Sequence, residues 1–138
     1  MSTFATLHAR LVTVVDAVSG LTPSRTPFDA ASIPSHGAGG WFIVRMDSGT
    51  SGGPSGGAQT LDTHDVAVEF LWDETQEPNT RLQAALGVVE DIRGAVMAVG
   101  ALEPAAAQAD YIGYDRASLS GRYARYAVRF VVKQTTTL

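Results

Sequence analysis

Residues 4–18 place Phe4, Leu7, Leu11, Val14, Val15 and Val18 at spacings of three and four, a single apolar stripe that predicts a helix ended by Ser19-Gly20. A helix with one such stripe buries it against a sheet. Segment 20–40 carries Pro23, Pro27 and Pro34 and then His36-Gly37-Ala38-Gly39-Gly40. Prolines deny a strand its ladder donors, so this stretch reads as a flexible, extended surface connection pinned by Phe28 and Ile33. Trp41–Asp47 is β-branched and aromatic, a strand by content. A second strand over 64–72 alternates, with Val66, Val68, Phe70 and Trp72 on one face and Asp65, Ala67, Glu69 and Leu71 on the other. The two strands predict a hairpin whose glycine-rich connection, 48–57, is a flexible loop far longer than ordinary hairpin turns.

Beyond that hairpin, Asn79 is placed to cap a second helix, with Pro78 just before it. Leu82, Leu86, Val89, Ile92, Val96 and Val99 form its stripe, ending at Gly100. Residues 101–110 are alanine-rich and suit a connector. A strand from Tyr111 to Leu119, a turn at Ser120-Gly121 and a long strand from Tyr123 to Lys133 follow. In the last strand Tyr126, Val128, Phe130 and Val132 make the apolar face, and Tyr123, Arg125, Ala127, Arg129, Val131 and Lys133 the other. The order α-β-β-α-β-β predicts an α+β fold: one antiparallel or mixed sheet of about four strands, with two helices packed on one face.

Composition adds boundaries. The 138 residues fit one domain, 1–138, large enough to bury a core without an external staple. Cysteine is absent, which removes disulfides, thiolate metal sites and a cysteine nucleophile together. No apolar run approaches the roughly 20 residues of a membrane-spanning helix, and the N-terminus lacks the pattern of a signal peptide. Met1, followed at once by helix-like sequence, gives the expectation of a complete small gene product. Ten Lys+Arg against fourteen Asp+Glu, a formal charge of −4, argues against gripping nucleic acid through its phosphates.

The chemical inventory is thin. Gly49, Gly52, Gly53, Gly56 and Gly57 suggest a phosphate cradle, yet no Gly-Lys-Ser/Thr ends the run and no helix follows it. Asp62, His64 and Asp65 cluster in sequence, but no second cluster completes a metal set, so a solvated strand end is expected there. His8 and His36 stand apart, no Gly-x-Ser-x-Gly elbow is present, and Asp73, Glu74 and Glu77 read as a solvated turn. No catalytic, cofactor or metal residue is assigned, and the reading is of a protein that is not an enzyme.

The charged face of the last strand says more. Arg125, Arg129 and Lys133 point one way together with Tyr123, and Glu69 and Leu71 lie on the matching face of another strand. Such a face is either solvated and cross-paired or a subunit contact, since arginine and tyrosine concentrate at the energetic centres of interfaces. The expected contact set is Ser48, Gly52, Pro54 and Gly57 from the glycine-rich connection with Glu69, Leu71, Tyr123, Arg125, Arg129 and Lys133 from the sheet.

Taken along nearly its whole length, the chain resembles the tail terminator (tail-completion) proteins of long-tailed bacteriophages. The resemblance lies in the opening helix Phe4–Val18, the loop-rich hairpin Trp41–Trp72 and the long helix Asn79–Gly100. The closing stretch Asp110-Tyr111-Ile112 … Gly121-Arg122-Tyr123-Ala124-Arg125-Tyr126-Ala127-Val128-Arg129-Phe130-Val131-Val132 is similar to that family's final hairpin. It is a likeness of layout rather than of an invariant signature. The resemblance implies a homohexameric ring in the virion, assembled in the host cytoplasm. Such a ring caps the tail tube, ends its polymerisation and docks the head-side connector, while DNA crosses the lumen without specific binding. It implies no cofactor and no membrane. Two alternatives stand beside it: another head–tail joining component of the neck or stopper kind, and a small-molecule-binding α+β domain whose site lies between helix and sheet near His64 and the glycine-rich connection.

Overall fold

The computed structural model describes residues 3–24, 27–28, 40–54, 59–74, 77–119 and 122–137. Helix α1 spans Phe4–Ser19 and is capped by Thr3, whose hydroxyl accepts from the Thr6 amide at 3.0 Å. Leu7, Leu11, Val14 and Val15 are its buried stripe, while Phe4 and Val18 at the two ends stay exposed.

Strand β1, Thr22–Pro23, runs parallel to the start of strand β2, Trp41–Pro54, so the 20–40 segment does contain regular pairing. The ladder tolerates the proline because alternate residues of a parallel strand face one neighbour. Thr22 N donates to Gly40 O at 2.9 Å and Ser24 N to Phe42 O at 2.7 Å, leaving Pro23 where no donor is needed. Ile33 lies outside the described residues, and Phe28 is buried as expected.

The largest correction concerns 48–57. Strand β3, Gln59–Asp73, pairs antiparallel with β2 from Trp41↔Leu71 out to Ser51↔Asp62 and Pro54↔Thr60. Most of the glycine-rich stretch is therefore strand, and only 55–58, with Gly57, lies outside the described residues. Glycine serves close approach here: a Cβ on Gly52 would stand 3.0 Å from the Leu61 carbonyl oxygen. Register shifts between Met46 and Ser48 and between Ser51 and Pro54 mark bulges in the same stretch.

Helix α2 spans Pro78–Met97 and begins one residue ahead of the expected cap at Asn79. Proline suits the first turn because its missing N–H has no intrahelical acceptor there, and Glu77 occupies the cap position instead. Ala85, Val89, Ile92 and Val96 are buried, whereas Leu82 is exposed and Val99 lies past the helix end in solvent. Strand β4, Ala107–Ser118, starts inside the expected connector, and strand β5 covers Tyr123–Thr137.

The sheet order is β1-β2-β3-β5-β4, with every pairing antiparallel except β1–β2. The class is α+β with one mixed sheet, carrying five strands rather than about four. Both helices lie on one face, where Leu7, Leu11, Val89 and Ile92 pack against Val66, Val68, Phe70, Tyr126, Val128 and Phe130. The Phe70 and Tyr126 rings stack across β3 and β5 with centroids 5.1 Å apart. Each such buried side chain contributes about 1.5–3 kcal/mol, so this layer holds the fold together.

Candidate functional site

The face of the sheet turned away from the helices is the first candidate. Period-two alternation puts Glu69, Ala67 and Asp65 of β3 there, opposite Ala127, Arg129 and Val131 of β5. One end is already covered: Phe28, Leu71 and Tyr123 are buried together, with Trp41, Ile43 and Leu119 packed around them. Leu71 and Tyr123, both expected in the contact set, are instead buried against Phe28 of the same chain. Glu69 is buried too, between Arg45 at 3.3 Å and Arg125 at 3.8 Å. Its role is to tie β2, β3 and β5 together beneath the surface. Arg45 also pairs with Asp47, and its pKa is raised chiefly by the charge of Glu69.

The other end is open. Arg129 and Lys133 are exposed, and Arg129 meets Asp115 of β4 at 3.2 Å. A bulge between Tyr111 and Gly113 pushes Ile112 out, and that residue is 62% exposed. Ile112, Arg129, Val131, Asp47, Asp65 and Ala67 line a shallow depression of about 330 Å³. Ala67 gives it a small-residue floor, Ile112 and Val131 an apolar wall, and the charged residues a rim of both signs. Sequence reasoning found Arg129 and Lys133 but missed Ile112, since nothing in a single sequence announces the bulge. Ser48 is exposed beside this region and donates to Asp65 Oδ2 at 2.7 Å, Gly52 is exposed further along β2, and Pro54 pairs with Thr60.

On the helix side the alternation of β3 continues below Val66 as His64, Asp62 and Thr60, and that of β5 beyond Val132 as Gln134 and Thr136. The buried face thus turns polar where the helices run out. His64 and Asp62 are 4% and 6% exposed, which overturns the solvated strand end expected from sequence. Asp65 points to the opposite face, so the sheet itself separates the suggested metal trio. Among the described residues no group of three or more His, Asp or Glu side chains is placed to hold a metal ion.

Every partner in this polar strip is specific. Gln134 Nε2 donates to Thr3 O at 2.8 Å and to Ala105 O at 3.1 Å, and its Oε1 lies 3.0 Å from His64 Nε2. Thr60 and Thr136 both donate to Asp62 Oδ2. The Thr136 hydrogen bond is the main cause that holds the Asp62 carboxyl below its usual range, against the opposing effect of burial. Next to the strip opens a cavity of about 810 Å³ between α1 and the β2–β3 hairpin, lined by Phe4, His8, Met46, Gly49, Asp62 and His64 among others.

A third polar cluster replaces the expected solvated turn. Glu74 accepts from the Tyr126 phenol and from Arg116, and Arg122 pairs with Asp73 at 3.0 Å. Burial, and then the hydrogen bond to Glu74, push the Tyr126 phenol up to about 12, while Arg116 holds the Glu74 carboxyl down. These groups tie β3, β4 and β5 at one end. No helix among the described residues is long and apolar enough to cross a membrane. No protein-family model matches the chain, and no curated protein matches it in sequence.

Proposed function

We propose that the chain is a structural subunit of a bacteriophage tail, a terminator that assembles with copies of itself into a ring on the end of the tail tube. The ring stops tube growth and offers its far surface to the head-side connector, and DNA passes through the lumen without being held. The observation that carries this reading is the open half of the outer sheet face. It joins an apolar centre, exposed Ile112 beside half-buried Val131, to a rim of Arg129, Lys133, Asp65 and Asp115. That is the anatomy of a protein contact, with apolar groups inside and charges of both signs around them. Apart from the short strand β1, the elements follow the expected α-β-β-α-β-β order, and this order with the long β2–β3 hairpin supports the same reading through the layout in which the sequence resembles tail terminators.

The contact surface differs from the one the sequence suggested. It centres on the Ile112–Arg129 end of β4 and β5, because Leu71 and Tyr123 are taken up within the chain. The test is genetic. Particles made without this gene should carry overlong tails or tails free of heads, whereas normal tails joined to heads would overturn the proposal. Tails of correct length that fail to join heads would instead assign the protein to the neck.

A further inference from the structure

The cleft between α1 and the β2–β3 hairpin is used by nothing above, and its two histidines share one property. Gln134 spends its amide hydrogens on Thr3 O and Ala105 O, so its Oε1 can only accept from His64 Nε2. Neutral His64 therefore carries its proton on Nε2, and Nδ1 is a bare acceptor. His8 is fixed in the same sense, because its Nε2 lies 2.8 Å from the Val44 carbonyl oxygen and must donate to it. Asp62 adds a carboxylate, and among the described residues no lysine or arginine lines the cleft. Of the hydroxyls in the lining, Ser48 donates to Asp65, Ser51 hydrogen-bonds Asp62, and Thr50 can donate or accept, so acceptors predominate and the fixed charge of Asp62 is negative.

Glycine keeps this arrangement open. A Cβ at position 49 would stand 3.1 Å from His64 Nδ1, so any side chain there would crowd that nitrogen. Phe4 completes the wall. Its ring lies edge-on to His64 at 4.6 Å and is 52% exposed, and Met46 adds flexible apolar surface. The cavity volume falls within the range of small-molecule sites, which combine apolar walls with a few convergent polar groups.

We propose that this cleft is a binding site for a planar organic cation that donates N–H hydrogen bonds and carries an apolar body, of the amidinium or guanidinium class. The cation would donate to His64 Nδ1 and His8 Nδ1 in the field of Asp62, with its apolar part against Phe4 and Met46. Anions of the same shape are refused, since the described lining offers them a carboxylate and no lysine or arginine. The proposal does not depend on the assembly reading and stands or falls separately from it.

Benzamidine is the probe, titrated at pH 8 into the full chain and followed by amide NMR, with benzoate as the matched anion. Saturable shifts centred on Gly49 and His64, without response to benzoate, are the expected result. His64→Gln keeps a donor for Gln134 but removes the second ring nitrogen, and it should weaken benzamidine by about tenfold, the loss expected for a hydrogen bond to a charged group. Gly49→Ala should weaken it as well; if that variant unfolds, His64→Gln alone decides. Equal binding of benzoate, equal affinity in His64→Gln, or no saturable shift at Gly49 and His64 overturns the proposal. Light scattering in the same titration separates the sources. An unchanged mass points to a free ligand, and a mass that falls with benzamidine points to an arginine of a second copy.

Discussion

The phenol of Tyr126 donates to Glu74 Oε2 at 2.6 Å, linking the middle layer of β5 to the residue that follows β3. Tyr126 is fully buried, and its ring also stacks on Phe70, so one side chain serves both the apolar core and the polar end of the sheet. Tyr126→Phe keeps the stacking and removes the donor. It should cost about 1.5–3 kcal/mol in urea unfolding, the range for hydrogen bonds to charged groups.

The same pair gives stability a pH dependence at both ends. The phenol is neutral in the fold and pushed up to about 12, against about 10 in the unfolded chain. Its contribution is therefore complete below about pH 10 and lost as pH rises from there toward 12. Glu74 and Asp62 have lowered values, so theirs is present above about pH 4 and lost as pH falls through the folded-state values. Urea midpoints measured from pH 3 to 11 should fall at both ends, and Tyr126→Phe should flatten the alkaline fall while leaving the Asp62 part of the acid one.

Asp62 and Thr136 supply a second stability test. Thr136→Val replaces the hydroxyl with a methyl group of similar size beside a nearly buried carboxylate. The expected loss is about 1–3 kcal/mol at neutral pH, and the Asp62 carboxyl should titrate at higher pH by carbon-detected NMR.

Exposed positions on the outer face should behave in the opposite way. Ile112→Asp and Arg129→Glu alter surface side chains, so each should change stability by less than about 1 kcal/mol, the loss of the Arg129–Asp115 pair included, while lowering the assembled mass in light scattering. Glu69→Ala, by contrast, removes the buried carboxylate that exposed Arg45 and half-buried Arg125 share, and should destabilise the isolated chain.

Much of this fold is legible in the sequence because its strands alternate cleanly. Val66, Val68 and Phe70 on β3, with Tyr126, Val128 and Phe130 on β5, mark the helix-covered face without ambiguity. The glycine-rich stretch misleads for a physical reason. Glycine and serine have low strand propensity on their own, yet Gly49 and Gly52 lie in β2 where any Cβ would press on His64 or on the Leu61 carbonyl. Reading 48–57 as a loop also hid the cleft, since His64 and Asp62 then sat at a strand end instead of in phase with Val66. The in-phase polar positions, Asp62 and His64 before Val66 and Gln134 and Thr136 after Val132, were the available signal. Coverage of Leu71 and Tyr123 by Phe28 had no such signal, because the contact joins segments far apart in sequence.

A consequence follows for the hairpin. Replacing Ser48–Gly57 by a two-residue turn deletes residues that pair with β3 from Thr60 to Asp65. Such a change should destabilise the fold itself, so point substitutions on the outer face are the better probes of assembly.

The assembly reading is tested most directly by electron microscopy of the purified protein mixed with tail tubes. Six-fold rings seated on tube ends, and lost in Ile112→Asp or Arg129→Glu, are the predicted result. A well-folded monomer that forms no rings and leaves tube ends bare would contradict it.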